Sequence, residues 1–425
     1  MPILLAAAPS PSDALITNPA MVLGILLVIL ALVFKTSEHS MFRGFYRVVP
    51  ALLLCYFLPG LLATSKLVGD DQGRLYHVAS RYLLPACLVM LTMTADLRGI
   101  LRLGPKMLGV FLASTAGVIL GAPLAVLIVG TISPETVGGT GPNAVWRGLA
   151  TVAGSWIGGG ANQAAMKEIF QPSDGLFSAM VAVDVIVANV WMGVLLWMAG
   201  SNLMVDRWIK ADRRQLDALK ERLALVEQQA PPRPATTSDL MTICAIGFLA
   251  TGIASLLGGW LADRFTETAP WSSKFSLTSP FFWLVVIATT IGVGLSFSRR
   301  VRRLESAGAS RIATVFLYLL VATIGLKMNL LAIGERPGIF VVGLVWISIQ
   351  AFFVLTTTVL LRAPIFFAAV GSQANIGGAA SAPVVAAAFD PRLAPVGVLL
   401  AIVGYALGTY GAWLAAQLMR LASGG

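Results

Sequence analysis

Apolar and polar positions along this chain alternate on the scale of whole helices. Apolar segments fall at 21–35, 46–64, 79–96, 106–130, 150–170 and 175–200, and after a polar stretch at 239–262, 279–297, 309–329, 338–361, 365–389 and 394–419. A run of roughly 17 to 25 apolar residues is long enough to cross hydrocarbon as a helix. The pattern predicts an all-α polytopic membrane protein in two sets of six segments. Its divisions are an N-terminal tail (1–20), a first transmembrane repeat (21–200), a cytoplasmic amphipathic linker (201–238) and a second repeat (239–425).

Two segments are broken. The fifth reads Gly154-Ser155-Trp156-Ile157-Gly158-Gly159-Gly160-Ala161-Asn162-Gln163, and the eleventh reads Gly371-Ser372-Gln373-Ala374-Asn375-Ile376-Gly377-Gly378-Ala379, with Ser381 just beyond. A lipid-facing helix tolerates neither stacked glycines nor clustered amides, because freed backbone groups would go unsatisfied. Matched Gly-interrupted segments in two halves point to a transporter's binding site. A helix stopping in mid-membrane offers N–H groups that favour anions at one end and C=O groups that favour cations at the other. The candidate solute-binding residues are therefore Ser155, Gly158, Gly159, Gly160, Asn162, Gln163, Ser372, Gln373, Asn375, Gly377, Gly378 and Ser381. Small-residue packing between transmembrane helices is the competing explanation. It accounts for the glycines but not for the amides.

Basic residues set the orientation. Lys35, Arg43 and Arg47 follow the first segment, and Arg98, Arg102 and Lys106 the third. Arg207, Lys210, Arg213, Arg214, Lys220, Arg222 and Arg233 lie in the central stretch. Arg299, Arg300, Arg302, Arg303 and Arg311 follow the second segment of the second half, and Arg362 its fourth. All these can face the cytoplasm under the positive-inside rule if the N-terminus is outside and the fifth segment is re-entrant. Each half then has five full crossings plus one broken or re-entrant helix. Five is odd, so the halves are inverted relative to each other. A fully crossing broken helix is the alternative if another segment does not span.

A weak internal repeat agrees. A shift of 219 residues lays Ile157-Gly158-Gly159 on Ile376-Gly377-Gly378, Phe170 on Phe389 and Pro172 on Pro391. Thr94 to Leu101 resembles Thr323 to Leu330 at a shift of 229. From Val205 to Gln229, Ile209, Leu216, Leu219, Leu223 and Val226 are spaced as in an amphipathic helix, interrupted by Asp212, before a stiff Pro231, Pro232, Pro234 linker.

One carboxylate stands apart. Asp184 lies in Val181-Ala182-Val183-Asp184-Val185-Ile186-Val187-Ala188-Asn189, a run with no basic residue. An ionisable group inside a transmembrane helix is costly and marks function by default. Asp184 is the candidate ion-coupling residue, for Na⁺ or a proton, with Asn189 added although it lies about 140° around the helix. The competing reading is a neutral aspartate satisfied by a carbonyl of the break. Lys167, Glu168, Asp96 and Lys327 sit near segment ends and read as interfacial.

Composition excludes much else. Hydrophobic residues make up 57% and charged residues 12% of the 425, against about a quarter charged in soluble domains. The net charge of +10 is better read as topology than as nucleic-acid binding, for which no basic, aromatic-bearing soluble module is present. Cys55, Cys87 and Cys244 are scattered in apolar segments and suggest neither disulfides nor a metal site. The first 20 residues lack a basic n-region, so no cleaved signal is expected and the expected address is the bacterial inner membrane. His39 and His77 form no metal pair, and no P-loop or nucleophile elbow appears. No enzyme activity and no cofactor beyond Na⁺ as a coupling ion is expected. The expected partners are a small-molecule solute and the lipid bilayer, with a homodimer left open.

The Gly-Gly break, the Asp184 helix after it and the Gly371-Ser372-Gln373-Ala374-Asn375-Ile376-Gly377-Gly378 block resemble the YjcL-like family of bacterial integral membrane proteins, of unknown function. The chain is also distantly similar to the cation:proton antiporter and bile-acid:sodium symporter superfamily. That resemblance implies discontinuous helices crossing at a midplane site beside an acid-bearing helix. Asp184 falls where the antiporters' acidic pair begins, but Val183 and Val185 flank it, so the paired carboxylates are missing. The expectation is a secondary transporter, a Na⁺- or H⁺-coupled symporter of a small organic anion (carboxylate, amino acid or small peptide). Its moving core would be 79–200 and 309–419. A cation/proton antiporter and a membrane enzyme or sensor are the alternatives.

Overall fold

A computed structural model of the chain describes residues 14–49, 51–69, 73–227, 234–328 and 336–424. The N-terminal Met1–Asp13, Pro231, Pro232, Arg233 and the end of the Thr323–Leu330 match lie outside them. The described residues are helical throughout apart from turns and one isolated bridge between Ile16 and Val68.

The first half comprises α1 (Pro19–Glu38), α2 (Ala51–Thr64), α3 (Arg74–Met93), α4 (Pro105–Ile132), α5 (Val145–Phe170) and α6 (Asp174–Gly200). The linker carries α7 (Arg214–Glu227). The second half comprises α8 (Thr237–Thr268), α9 (Pro280–Leu295), α10 (Ala309–Gly325), α11 (Gly338–Leu360), α12 (Ile365–Ile376), α13 (Gly378–Phe389) and α14 (Ala394–Ala422). Each of the twelve apolar segments became helical. Among the described residues seven of these helices are long and apolar enough to cross a bilayer; α9 makes an eighth if joined to the Arg299–Glu305 segment bent 98° from it, and α2, α10, α12 and α13 are apolar but shorter.

Local chemistry places the ends. Asn18 Oδ1 accepts from the N–H groups of Ala20 and Met21 with Pro19 at the first helical position, so α1 starts there. Thr236 and Asp239 close a capping box at the start of α8. In α1 only Val22, Leu26, Leu30 and Val33 are buried, a single stripe facing protein. Ahead of Pro85, which has no N–H to donate, α3 widens into a π turn over Ala79–Leu83.

The broken segments are hairpins, α5 (hairpin 1) and α12–α13 (hairpin 2). A straight helix from Arg147 to Phe170 would be about 35 Å long. Instead Arg147 Nη1 donates to the Phe170 carbonyl at 2.6 Å, and the Trp146 and Phe170 rings meet edge-to-face with centroids 5.6 Å apart. The turn is made at Gly158 (φ −140°, ψ 18°) and Gly159 (φ 69°, ψ −175°). The pair α12–α13 does the same: Phe366 and Phe389 meet at 5.4 Å, and the turn uses Gly378 at φ 57°. Gly159 and Gly378 are 219 residues apart, the shift found in the sequence. The crossing discontinuous helices implied by the superfamily resemblance are therefore not formed, because each second arm reverses at a left-handed glycine and returns to its own starting face.

Those faces are opposite ones. The hairpin 2 ends join the linker: Ile365 N–H donates to Asp206 Oδ1 at 2.8 Å, and Lys220 Nζ pairs with Asp390 Oδ2 at 3.4 Å. The same face holds Lys106 against Asp212 (3.1 Å) and Gln215 Nε2 against the Leu103 carbonyl (3.3 Å). The hairpin 1 ends lie at the other face, where Ser173 N–H donates to the Pro142 carbonyl at 2.8 Å. Burial raises the Asp206 carboxyl pKa, offset by the Ile365 N–H and Arg213.

The linker differs from one continuous amphipathic helix. It breaks into Asn202–Trp208 and α7, with Lys210 at φ 52° and Asp212 Oδ1 accepting the Arg214 N–H at 3.2 Å. The residue that interrupted the pattern thus holds the N–H of Arg214, the first residue of the second helix. Leu216 and Leu219 are buried, so α7 docks on the protein. The side chains of Leu223 and Val226 lie outside the described residues.

Packing divides the helices into two bundles. In one, α14 lies along α5 and α4, α11 along α4, and α6 against both hairpins. In the other, α3 packs on α8, α9 and α10, while α2 packs on α1 and α10. The expected core included α3 and α10; their closest neighbours put them in the second bundle. Between α14 and hairpin 1 the approach is backbone to backbone: a Cβ on Gly408 would stand 2.7 Å from Gly158 Cα.

Candidate functional site

The two hairpin tips meet in the interior. A Cβ built on Gly378 would lie 3.8 Å from Gly159 Cα, with the Tyr405 ring of α14 against both tips. From this junction a cavity of about 510 Å³ opens between the bundles, within the roughly 300–1,000 Å³ of small-molecule sites. One wall is Ser155, Gly159 and Gly160 of hairpin 1, and another is Gln373, Gly377 and Ser381 of hairpin 2. Asp184 and Asn189 of α6 form the third, and Tyr46, Leu52 and Tyr318 close it from the other bundle. The cavity follows α6 from Asp184 to Leu196, about 18 Å toward the helix end that joins the basic linker.

Asp184 is 5% exposed and held by donors from hairpin 1. Trp156 Nε1 donates to Oδ1 at 2.7 Å, Gln163 Nε2 to Oδ2 at 2.9 Å, and the Ser155 hydroxyl is a third partner. Gln163 Oε1 in turn accepts from Tyr56 OH at 3.3 Å, tying hairpin 1 to α2 in the other bundle. Such charge-assisted contacts orient a carboxylate firmly, and Asp184 still fronts the cavity. Asn189, although 140° around the helix, also fronts it, while its Nδ2 donates to the Val185 carbonyl at 2.7 Å.

Of the residues singled out in the sequence, Ser155, Gly159, Gly160, Gln373, Gly377, Ser381, Asp184 and Asn189 line the cavity; Gly158, Asn162, Gln163, Ser372, Asn375 and Gly378 do not. Asn162 is a clasp. Its Nδ2 donates to the carbonyls of Gly158 (3.0 Å) and Tyr405 (3.1 Å), and its Oδ1 accepts from Thr409 (2.7 Å). Asn375 does the same toward α4: Oδ1 accepts from Thr115 at 2.9 Å and Nδ2 donates to the Phe111 and Gly371 carbonyls. Ser372 accepts from Trp191 Nε1 at 2.8 Å and from Gln350 Nε2 at 2.9 Å. Asn162 satisfies the Gly158 carbonyl at the break, and both amides tie their hairpins to the carbonyls of neighbouring helices, Tyr405 in α14 and Phe111 in α4.

Sequence reasoning missed Trp156, Tyr56, Tyr46 and Tyr318. Trp156 sits inside the first glycine string and was the readable one; the tyrosines gave no local signal. It also read Lys167 and Glu168 as interfacial, yet both are buried. Lys167 pairs with Asp174 (3.3 Å) and donates to Tyr76 OH (3.2 Å). Glu168 accepts from Tyr76 OH and pairs with Arg81 at 3.3 Å. With Lys327 over the Tyr76 ring, this network joins hairpin 1 to α3 and α10 at the face opposite the basic linker.

Two helical bundles, two hairpins whose tips meet in the interior and a mostly apolar cavity beside Asp184 define a multi-pass helical membrane protein. Residues 24–421 match the profile of a family described as Protein of unknown function (DUF819), and the chain belongs to that family. It is similar to the uncharacterized membrane protein YjcL of Bacillus subtilis (strain 168), at 23% identity over 351 residues, 80% of this chain and 82% of that one.

Proposed function

We propose that this protein is a secondary active transporter of the bacterial inner membrane, moving a small carboxylate-bearing solute by alternating access with Na⁺ or H⁺ as the coupling ion. The observation that carries this reading is the meeting of two hairpin tips on a cavity that also holds Asp184, at the seam between two bundles. Each second arm begins at its tip, so its free N–H groups and partial positive charge lie beside the cavity and suit a carboxylate. Asp184 supplies a negative charge there with no Lys, Arg or His lining the cavity among the described residues. A solute carboxylate therefore needs a cation with it, and a proton or Na⁺ at Asp184 meets that need.

The positions of the contacts support a definite state. The Lys167–Glu168 network closes the face opposite the basic linker, and the cavity runs toward the linker. Under the positive-inside rule this is an inward-facing conformation, with the halves inverted about the hairpins. Movement of the hairpin bundle against the other would expose the same cavity to the opposite side.

The test is uptake by proteoliposomes of ¹⁴C-labelled carboxylate and amino-acid mixtures, with inward Na⁺ or proton gradients imposed separately. Solute accumulation driven by one gradient, and its loss in Asp184→Asn, is the expected result. Ion flux driven by a pH gradient without solute would move the assignment to cation/proton exchange. Absence of both fluxes from a folded preparation would refute transport.

A further inference from the structure

The cavity beside Asp184 is polar mainly at one end. Ser155, Gly159, Gly160, Asp184 and Gly377 gather at the hairpin tips. From there two walls run side by side toward the basic linker, because α6 leads into it and the second arm of hairpin 2 ends beside Asp390, which pairs with Lys220. Along α6 the lining continues through Ala188 and Met192 to Leu196, about 6, 12 and 18 Å beyond Asp184. Along hairpin 2 it continues through Ala380 to Val384, about 10 Å beyond Gly377. Ala51 and Leu52 of α2 face these walls from the other bundle. From there α2 runs past Tyr56, which meets Gln163, and the chain goes on to Tyr76 and Glu168 at the opposite face. Ala51 and Leu52 therefore stand on the linker side of the tips.

The polar groups near this stretch are largely spoken for. Tyr46 OH donates to the Val33 carbonyl at 3.1 Å and meets Thr36 Oγ1 at 2.6 Å. Asn189 Nδ2 is held by the Val185 carbonyl, and Ser381 Oγ accepts from Gln373 Nε2. Beyond Ala188 a solute meets chiefly methyl and methylene surface. A second charge or an amide placed there would lose its water without gaining a partner, whereas apolar atoms gain by leaving water.

We infer that the solute is an amphipathic monocarboxylate, with its one charged group at the hairpin tips and an apolar body lying along α6 toward Leu196. This rests on the carboxylate-transporter reading above and narrows its substrate class. A peptide or a dicarboxylate would carry a further polar group onto the apolar walls. Each methylene of the body that leaves water between Ala188, Met192, Leu52 and Val384 adds about fourfold to the affinity. Selectivity then comes from two ends of one cavity, charge at the tips and length along α6.

The experiment measures thermal stabilisation of the full chain in detergent by butanoate, hexanoate, octanoate and decanoate, with the dicarboxylates and primary alkanols of the same chain lengths as controls. The half-saturating concentration of the monocarboxylates should fall about fourfold per methylene, and the two control series should give no comparable shift. Met192→Asn puts an amide about 12 Å from Asp184. It should weaken decanoate about tenfold or more and leave butanoate unchanged, so that the short acid reports a folded variant. The same acids are then offered to proteoliposomes under inward Na⁺ and proton gradients. Gradient-driven accumulation of the dicarboxylates, or stabilisation independent of chain length, overturns the inference and leaves the transporter reading standing. Alkanols that stabilise as well as the acids show apolar partition alone and also overturn it. No stabilisation and no accumulation with any acid, from a preparation that melts cooperatively, overturns both.

Discussion

Gly159→Ala should disable the protein while its neighbour Gly160→Ala should not. Gly159 has φ 69° and ψ −175°, a region essentially confined to glycine, in which a side chain costs about 1–3 kcal/mol. The new methyl would also meet Tyr405 Cε1 at 3.1 Å, so the ring that touches both tips must give way. At Gly160 no positive φ is involved, and the closest atom to a new Cβ is Leu317 Cδ2 at 3.8 Å. That substitution has room and removes backbone entropy from the unfolded chain, for a gain of about 0.4–1 kcal/mol. A penalty of 1–3 kcal/mol confined to the tip lowers the population of the cavity-forming geometry roughly 5- to 150-fold. Solute uptake in proteoliposomes should fall by that factor in Gly159→Ala and by much less in Gly160→Ala, where only the methyl added to the cavity wall is felt. Melting in detergent serves as the folding control, since a tip can relax locally without global unfolding. Equal uptake by the two variants would refute the hairpin turn assigned to Gly158–Gly159.

Three further outcomes follow from the same geometry. Asn162→Ala leaves the Gly158 and Tyr405 carbonyls without their amide, so the melting temperature should drop by an amount corresponding to about 2–4 kcal/mol, measurable against Asn189→Ala as a milder reference. Glu168→Gln weakens the contact with Arg81 that holds hairpin 1 to α3, and should raise the reactivity of a Ser155→Cys thiol toward impermeant reagents applied at that face. The Arg392 guanidinium first, aided by Lys220, holds the Asp390 carboxyl well below its ordinary pKa. A depressed carboxylate stabilises above its unfolded pKa of about 4 and loses that contribution as pH falls through the folded value. The linker should thus stay docked from pH 5 to 8 and loosen only in strong acid, read by the mobility of a spin label on Asp217→Cys.

How far the sequence carried depended on whether the signal was local. Every apolar segment was visible because burial in lipid demands length and continuity. The chain reversals had a local marker, because the paired glycines stand where they occur. Asn162 and Asn375 could not be separated from Gln373 by reading, since all are amides beside glycines. What distinguishes them is the partner: Thr409 and Tyr405 lie over 240 residues from Asn162, and Thr115 is 260 residues from Asn375. The bundle membership of α3 and α10 was equally hidden, because apolar faces packing on lipid and on protein have the same composition. Lys167 and Glu168 misled for a related reason. Near a helix end a charge reads as solvated unless its counter-charges, here Arg81 and Asp174, are known to be adjacent.

Alternating access requires one cavity at the hairpin tips to serve both sides of the membrane. Its most direct test is a single cysteine at position 381, introduced as Ser381→Cys with Cys55, Cys87 and Cys244 replaced, in sealed vesicles of known orientation. Impermeant thiol reagent should label it from the cytoplasmic side in the resting protein. Under a coupling gradient with solute it should become reactive from the outside as well, with solute slowing both reactions. Labelling from one side only, whatever the gradient and solute, would contradict alternating access through this site.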